Sequence, residues 1–142
     1  MPEAWSLHPQ LERDMSPVGD LALSRVGAIN DADYPWLVLV PRRLRAVEIA
    51  DLEAADAARL MGEIALVSRA LRDVTACDKL NIAAIGNVVP QLHVHIVARW
   101  KTDPLWPKPV WGHATVRANP VETFGAFVAA VRAKLDAGLV GL

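Results

Sequence analysis

Two histidines separated by one residue, His93 and His95, are the side chains of this 142-residue sequence best suited to chemistry. They lie in residues 91–97, where polar and apolar residues alternate. Because successive side chains of a β-strand point to opposite faces, this alternation predicts that Gln91, His93 and His95 share one face. Buried imidazole and amide groups need hydrogen-bonding partners, so we expect this face to line a site rather than a core.

The histidine pair is consistent with three roles. The imidazoles can be structural residues with satisfied hydrogen bonds, or they can bind a metal ion. Zinc takes three or four ligands, however, and the sequence adds only Cys77 and no further His-rich or carboxylate-histidine motif. The third role is a catalytic imidazole, because the ordinary pKa of histidine lies near neutral pH. The sequence favours this third role and predicts neither a metal ion nor a cofactor.

The segment Gln-Leu-His-Val-His-Ile-Val at 91–97 resembles the histidine-triad (HIT) motif, His-φ-His-φ-His-φ-φ with φ apolar, with Gln91 in place of the first histidine. It is similar to bacterial sequences of the diadenosine-tetraphosphate hydrolase-like branch. In that superfamily the middle histidine attacks the α-phosphate of a nucleotide, and water then hydrolyses the nucleotidyl-histidine. The resemblance, which extends from about residue 21 to 100 in the order of elements, implies that His93 is this nucleophile.

The resemblance also implies roles for the neighbours of His93. His95 would lie about 7 Å further along the strand and stabilise charge that develops on the phosphate. The Gln91 amide could donate a hydrogen bond to a phosphate oxygen, but it cannot carry a positive charge or transfer a proton at neutral pH. This predicts slow turnover, and a gain in rate when Gln91 is replaced by histidine, provided that Leu44 and Val88 are not the limiting defects. Val88 and Leu44 also stand where relatives carry polar groups.

Two further pairs of residues are candidates for substrate binding. Gly86 and Asn87 precede the motif strand, where glycine allows the backbone to approach phosphate oxygens closely. The same residues also suit an ordinary hairpin turn. Asp31, with Asn30 beside it, matches the position at which relatives carry an acidic residue whose carboxylate accepts both ribose hydroxyls. A simple polar loop is the alternative for this pair.

Three functions therefore remain open. The favoured one is a hydrolase or transferase acting on dinucleoside polyphosphates or nucleoside phosphoramidates through a nucleotidyl-His93 intermediate. The second is a nucleotide-binding protein with weak or no catalysis, because Gln91 alters the triad. The third is a structural dimer in which the histidine pair is incidental. Relatives with this fold pair as two-fold dimers through the long helix and a sheet edge, so we expect a homodimer.

Composition excludes several other classes of protein. Lysine and arginine number 15 against 16 aspartates and glutamates, so no overall basic field indicates a nucleic-acid partner. No apolar run reaches the roughly 18 residues of a membrane-spanning helix, and no membrane partner is expected. One cysteine cannot form an internal disulfide, and the first residues lack the basic and apolar regions of a secretion signal. We therefore expect a cytoplasmic protein.

Hydrophobic periodicity predicts a single α+β domain over residues 1–142 with an antiparallel sheet, and the resemblance to the HIT family implies a HIT-like fold with about five strands. Residues 1–20 are predicted to form an N-terminal arm, either irregular or a short helix. Apolar residues at steps of three and four predict a long crossover helix over 51–74. Asn119, Pro120 and Glu122 are typical of a helix start and predict a C-terminal helix over 119–138. The predicted strands span 21–29, 36–40, 80–85 and 91–99.

The stretch 101–118 is predicted to be a loop, because its prolines exclude a helix interior and a central strand. Trp106 and Trp111 in this loop can stack on a nucleotide base. They can equally cover the sheet or form a dimer contact. The sequence leaves these three roles open.

Overall fold

The computed structural model describes residues 2–113 and 116–140. Residues 114 and 115 of the predicted loop, and residues 1, 141 and 142 of the predicted domain, lie outside the described residues. Within the described residues, five strands form one antiparallel sheet in the order β1-β2-β3-β5-β4. The strands are β1 (Ser16–Asp20), β2 (Ser24–Ile29), β3 (Trp36–Pro41), β4 (Lys79–Ala83) and β5 (Val94–Arg99). The predicted α+β architecture is confirmed.

Strand β3 lies at the centre of this sheet, and all six of its residues are buried. Its alternate side chains belong to two separate apolar clusters. Leu37 and Leu39 pack in the larger cluster beneath the helices. Val38 and Val40 pack in a smaller cluster on the opposite face. The continuous apolar run that predicts this strand therefore reflects a sheet that is covered on both faces.

Helix α2 (Ala54–Thr75) provides most of the cover on the first face. It begins three residues later than predicted, because Ile49–Asp51 forms a separate 3-10 turn. The Asp51 carboxylate closes this turn by accepting hydrogen bonds from the backbone N–H groups of Val47 and Glu48. The residues that α2 buries recur at helical spacing: Leu60, Glu63, Ile64, Val67, Ala70 and Leu71.

Helix α3 (Val121–Leu135) packs beside α2, followed by a 3-10 turn at Asp136–Gly138. The predicted N-cap at Asn119 is wrong by one residue, because Pro120 occupies the N-cap position and the helix begins at Val121. Asn119 does not cap the helix. Its backbone N–H and side-chain amide donate instead to the side-chain oxygen of Asn30, at 2.9 and 3.0 Å. No helix of the described residues is long and apolar enough to cross a membrane.

The prediction of an N-terminal arm over residues 1–20 missed one strand. These residues contain helix α1 (Pro9–Asp14) and the edge strand β1. Only Val18 of β1 is buried, and its pairing with β2 shifts register between Pro17 and Gly19. The bulge and the single buried residue leave no alternation for a sequence pattern to reveal. Residues 2–8, which precede α1, are called the leading segment below.

The motif strand is also shorter than predicted. β5 begins at Val94 rather than at residue 91, because its pairing with β3 ends at Leu39 opposite Val94. Just before the strand, the Leu92 N–H donates to the Ala46 carbonyl in the connection that follows β3. Residues 91–93 therefore lie in the loop that precedes β5 and are not part of the strand pairing. Strand β4 likewise ends at Ala83, two residues before the predicted end at 85.

Candidate active site

His93 and His95 both line a cleft of about 460 Å³ on the face of the sheet opposite α2. Helix α1 forms one wall, the turn at 85–89 forms another, and residues 110–112 close the far side. The floor consists of side chains from β2 and β3. The described lining is apolar apart from the two imidazoles, Asn87 and the Gln10 and Asp14 side chains of α1.

A backbone carbonyl fixes the tautomer of His93. The Nδ1 atom of its ring lies 2.7 Å from the carbonyl oxygen of Gln91. A carbonyl only accepts hydrogen bonds, so Nδ1 carries the proton and donates it to this bond. In the neutral ring the other nitrogen, Nε2, therefore has a free lone pair. His93 is 6% exposed and is thus held in one orientation as a potential nucleophile.

The opposite tautomer is fixed at His95. The indole N–H of Trp36 donates to the Nδ1 of His95 at 3.0 Å. Since an indole nitrogen cannot accept, Nδ1 of His95 is unprotonated and Nε2 carries the proton in the neutral ring. Burial, together with the neighbouring His93, lowers the pKa of His95 to about 4. His95 is therefore a neutral hydrogen-bond donor at physiological pH, with its ring 4.9 Å from that of His93.

Gln91 does not line the cleft that contains the two histidines. Its side-chain oxygen accepts from the backbone N–H of His8 at 2.8 Å, and its side-chain nitrogen donates to the Ser6 carbonyl at 2.9 Å. The prediction that Gln91, His93 and His95 share one face is wrong for Gln91, because residues 91–93 precede the strand. The side chain borders a separate cavity of about 270 Å³ beside the leading segment.

Gly86 and Asn87 line the histidine cleft. Gly86 has a φ angle of 64°, in the left-handed region that favours glycine. Both residues therefore lie in the same cleft as His93, and their role in binding phosphate stays a prediction. Val88 beside them is 91% exposed and also borders the cleft.

Asp31 and Asn30 lie next to the cleft rather than in it. Asp31 is 3% exposed and lines a cavity of about 170 Å³ beneath α3. One of its carboxylate oxygens accepts from the Asp33 N–H at 2.9 Å, while the other has no partner within the described residues. Ile29 borders both this cavity and the histidine cleft. Asn30 is held by its hydrogen bonds with Asn119 and lines neither.

The two candidate tryptophans have different surroundings. Trp111 lines the cleft, with its ring 5.8 Å from that of His95. Trp106 does not line it, and the Arg99 guanidinium lies over its ring at 5.7 Å. Of these two tryptophans of the loop, Trp111 is therefore the one positioned to contact a ligand bound at the histidine pair.

Sequence reasoning missed the ion pair that organises this loop. Arg99 and Asp103 form two hydrogen bonds of 2.7 and 2.9 Å, and their side chains are 1% and 4% exposed. The Asp103 carboxylate also accepts backbone N–H groups of Trp100, Leu105 and Trp106. An aspartate followed by proline at the end of a strand is a turn signal that could have indicated this role.

Sequence reasoning also missed the contribution of α1 and Trp36 to the site. Leu11 and Met15 of α1 line the cleft, and Trp36 fixes the His95 tautomer. The contact of Trp36 with His95 could be inferred only from the register of β3 with β5, because Trp36 pairs with Val97, two residues after His95. Across residues 2–113 and 116–140, no group of three or more His, Cys, Asp or Glu side chains could hold a metal ion.

Comparison with known proteins identifies relatives along nearly the whole chain. A family model of the HIT domain matches residues 10–102. A histidine triad protein from Bradyrhizobium japonicum is 56% identical, with 93% of this chain and 98% of that chain covered and a TM-score of 0.90. A histidine triad protein from Sinorhizobium meliloti 1021 is 42% identical, with 92% and 97% covered and a TM-score of 0.88.

A third relative, a histidine triad protein from Marinobacter aquaeolei VT8, is 34% identical and has a TM-score of 0.91. The alignment covers 96% of this chain and 99% of that chain. A search of curated proteins gives no significant match. The similarity to these solved structures therefore extends beyond the motif strand to the helices and the loops around the cleft.

Proposed function

Because the chain belongs to the HIT domain family, we propose that it is a nucleotide hydrolase or transferase that acts through a nucleotidyl-His93 intermediate. Family membership supports nucleotide binding and hydrolase or transferase activity in general terms. The observation that carries the specific proposal is the opposite tautomer of the two imidazoles. One ring offers a lone pair at Nε2 and its neighbour offers an N–H group, as attack on a phosphoryl centre requires.

The proposed reaction has two steps. In the first, Nε2 of His93 attacks the α-phosphorus and the new P–N bond forms. The leaving group departs with the electron pair of its bond to phosphorus, and an amine leaving group takes a proton from solvent water. The ring then carries a positive charge, which the Gln91 carbonyl stabilises through the Nδ1–H bond. In the second step a water molecule attacks phosphorus and gives one proton to solvent, the P–N bond breaks, and its electron pair returns to Nε2 of His93. The His95 N–H donates to a phosphoryl oxygen in both steps.

The charge of the cleft supports a substrate with a single phosphoryl group. None of the described residues that line the cleft is lysine or arginine, and Asp14 contributes a carboxylate. His95 is neutral because its pKa is lowered to about 4. A dinucleoside polyphosphate would bring several negative charges into a site without a compensating cation. We therefore favour nucleoside phosphoramidates. Their leaving group is an amine, which adds no negative charge near the Asp14 carboxylate.

A direct comparison of two substrates tests this specificity. With the same nucleoside and equal ionic strength, we expect kcat/KM for the phosphoramidate to exceed that for the dinucleoside polyphosphate by at least about tenfold. Asp14→Asn should lower this ratio of kcat/KM values, because removal of the carboxylate should raise kcat/KM for the dinucleoside polyphosphate. Glu12→Gln changes a carboxylate of the same helix that does not line the cleft, and should leave the ratio unchanged. Equal or greater activity on the polyphosphate would contradict the assignment.

One observation favours a second candidate function, nucleotide binding with weak or no catalysis. Both polar atoms of the Gln91 side chain are engaged by the leading segment, so the motif's first position contributes no donor to the cleft. Only two of the three motif side chains then serve a bound phosphate. A rise in melting temperature with nucleoside monophosphate, without any turnover of the phosphoramidate, would support this second function.

We also propose a homodimer. Strand β4 is an edge of the sheet, and its Ile82 side chain is 47% exposed. On α2, Met61 is 64% exposed. Pairing of β4 and α2 with a second copy would cover both side chains. Light scattering at micromolar concentration should give about twice the chain mass of 15.4 kDa. A monomer mass would contradict this assembly.

A further inference from the structure

We propose that Gln91 is a positioning residue that docks the leading segment and thereby holds the carbonyl that orients His93. This inference rests on the proposed role of His93. It assigns Gln91 a function different from that of the first histidine in the motif, which would contact the phosphate. The side chain of Gln91 binds residues 2–8, while its backbone carbonyl binds the nucleophile.

The Gln91 amide is matched to the backbone that it binds. Ser6 C=O and His8 N–H belong to residues two apart, and such groups point to the same side of an extended chain. A planar amide presents an acceptor and a donor side by side, so it satisfies both groups at once, at 2.8 and 2.9 Å. A neutral imidazole has its donor and acceptor on opposite sides of a ring. Glutamine therefore suits this position better than histidine does.

The same residue controls the hydrogen bond that sets the His93 tautomer. The peptide group between Gln91 and Leu92 accepts from His93 Nδ1 at 2.7 Å and donates to the Ala46 carbonyl at 2.9 Å. It lies outside any strand ladder, since β5 begins at Val94. The hydrogen bonds of the Gln91 side chain therefore add a restraint where regular secondary structure supplies none.

The leading segment connects this restraint to the wall of the cleft. Its Trp5 packs under the Arg25 guanidinium, 5.1 Å from the ring centre, and Leu7 packs on the smaller apolar cluster. The Nδ1 atom of His8 accepts from the Gln10 N–H and so caps α1. Helix α1 supplies Leu11 and Met15 to the cleft. Gln91 thus joins the nucleophile and one wall of its cleft through the same short segment.

Two variants test the side chain of Gln91. Gln91→Ala removes both hydrogen bonds, while Gln91→Glu keeps the size and the acceptor but loses the donor to Ser6. We expect amide hydrogen exchange of residues 3–8 and of residue 10 to rise by about tenfold or more in Gln91→Ala, and less in Gln91→Glu. The imidazole ¹⁵N shifts of His93 should change from a single tautomer to a mixture. With a nucleoside phosphoramidate, kcat should fall by about tenfold, with KM within about threefold.

A double-variant cycle separates positioning from direct contact with substrate. Trp5→Ala should release the leading segment by a second route and reproduce the loss in kcat. In the double variant Trp5→Ala with Gln91→Ala, the loss should be no larger than in either single variant. Glu3→Gln, which removes only an exposed ion pair with Arg45, is the control and should change nothing. Losses that multiply in the double variant would overturn the proposal.

The exchange and NMR measurements test the positioning role of Gln91 independently of the proposed reaction. If the native protein turns over no phosphoramidate, the proposed reaction fails, yet these two measurements still report whether Gln91 docks the segment and fixes His93. An unchanged His93 tautomer and unchanged exchange in Gln91→Ala would overturn the positioning role. That result would do so even if kcat fell, because the fall would then indicate direct contact with substrate.

Discussion

Replacing His93 with alanine should reduce turnover of a nucleoside phosphoramidate by at least about a thousandfold, because no other imidazole among the described residues that line the cleft has a free ring nitrogen to form the covalent intermediate. His95 cannot substitute, since its Nε2 carries a proton and its Nδ1 is occupied by Trp36. The fold should persist, because His93 borders a cleft and its hydrogen bond is to the adjacent loop. Steady-state kinetics, with circular dichroism as the check of structure, measures both.

His113→Ala is the matched control for this loss. His113 is exposed and does not line the cleft, so its removal should leave kcat within about twofold. Turnover in His93→Ala that stays within a few-fold of the native rate would show that another group is the nucleophile. A parallel loss in His113→Ala would instead indicate that the site extends beyond the cleft described above.

Asp103→Asn should destabilise the protein by about 3–5 kcal/mol, because it leaves the Arg99 guanidinium buried without a countercharge. Both side chains are almost inaccessible to solvent, at 1% and 4% exposure. The carboxylate also organises the loop that positions Trp111 by accepting three backbone N–H groups. Unfolding in urea, followed by circular dichroism at pH 7, measures the loss.

The control is the same substitution at an exposed ion pair. Asp33→Asn removes the partner of Arg117, whose side chain is 67% exposed, and should cost no more than about 1 kcal/mol. Equal losses in the two variants would contradict the argument from burial. Equal losses would also place the organising contact of the loop somewhere other than the Arg99 and Asp103 pair.

The contribution of Asp103 also has a defined pH range. Burial alone would raise the pKa of this carboxyl, but hydrogen bonds from Arg99 and the Trp100 N–H outweigh burial and hold the pKa below its usual 3.8. A lowered pKa contributes stability that is fully present above the unfolded value and is lost as pH falls through the folded value. The pair should therefore persist throughout the neutral range and weaken only below about pH 4.

The sequence predicted the elements that carry strong periodicity. The apolar run of β3 and the apolar stripe of α2 each reflect burial that a pattern can reveal. β1 left no such pattern, because only Val18 is buried and the strand is bulged. The ends of β5 depend on which neighbour it pairs with, and pairing is a property of the folded sheet rather than of the local sequence.

For the candidate site, too, the sequence placed some residues correctly and misplaced others. Alternation placed His93 and His95 together, and both line the cleft with Gly86 and Asn87. The same alternation misplaced Gln91, whose partners Ser6 and His8 are more than 80 residues away in the chain. An increase in turnover rate on Gln91→His is therefore not expected, since a histidine side chain cannot satisfy both the Ser6 carbonyl and the His8 N–H. We now expect that substitution to lower activity.

Direct detection of the covalent intermediate tests whether His93 is the nucleophile. The protein is mixed with excess nucleoside phosphoramidate, quenched within milliseconds in alkaline denaturant, digested with trypsin and examined by mass spectrometry with electron-transfer fragmentation. Fragmentation between His93 and His95 distinguishes the two rings. We expect one nucleoside monophosphate on His93, no adduct on His95, and none in His93→Ala. Consumption of substrate without an adduct on His93, or with the nucleotide on His95, would contradict it.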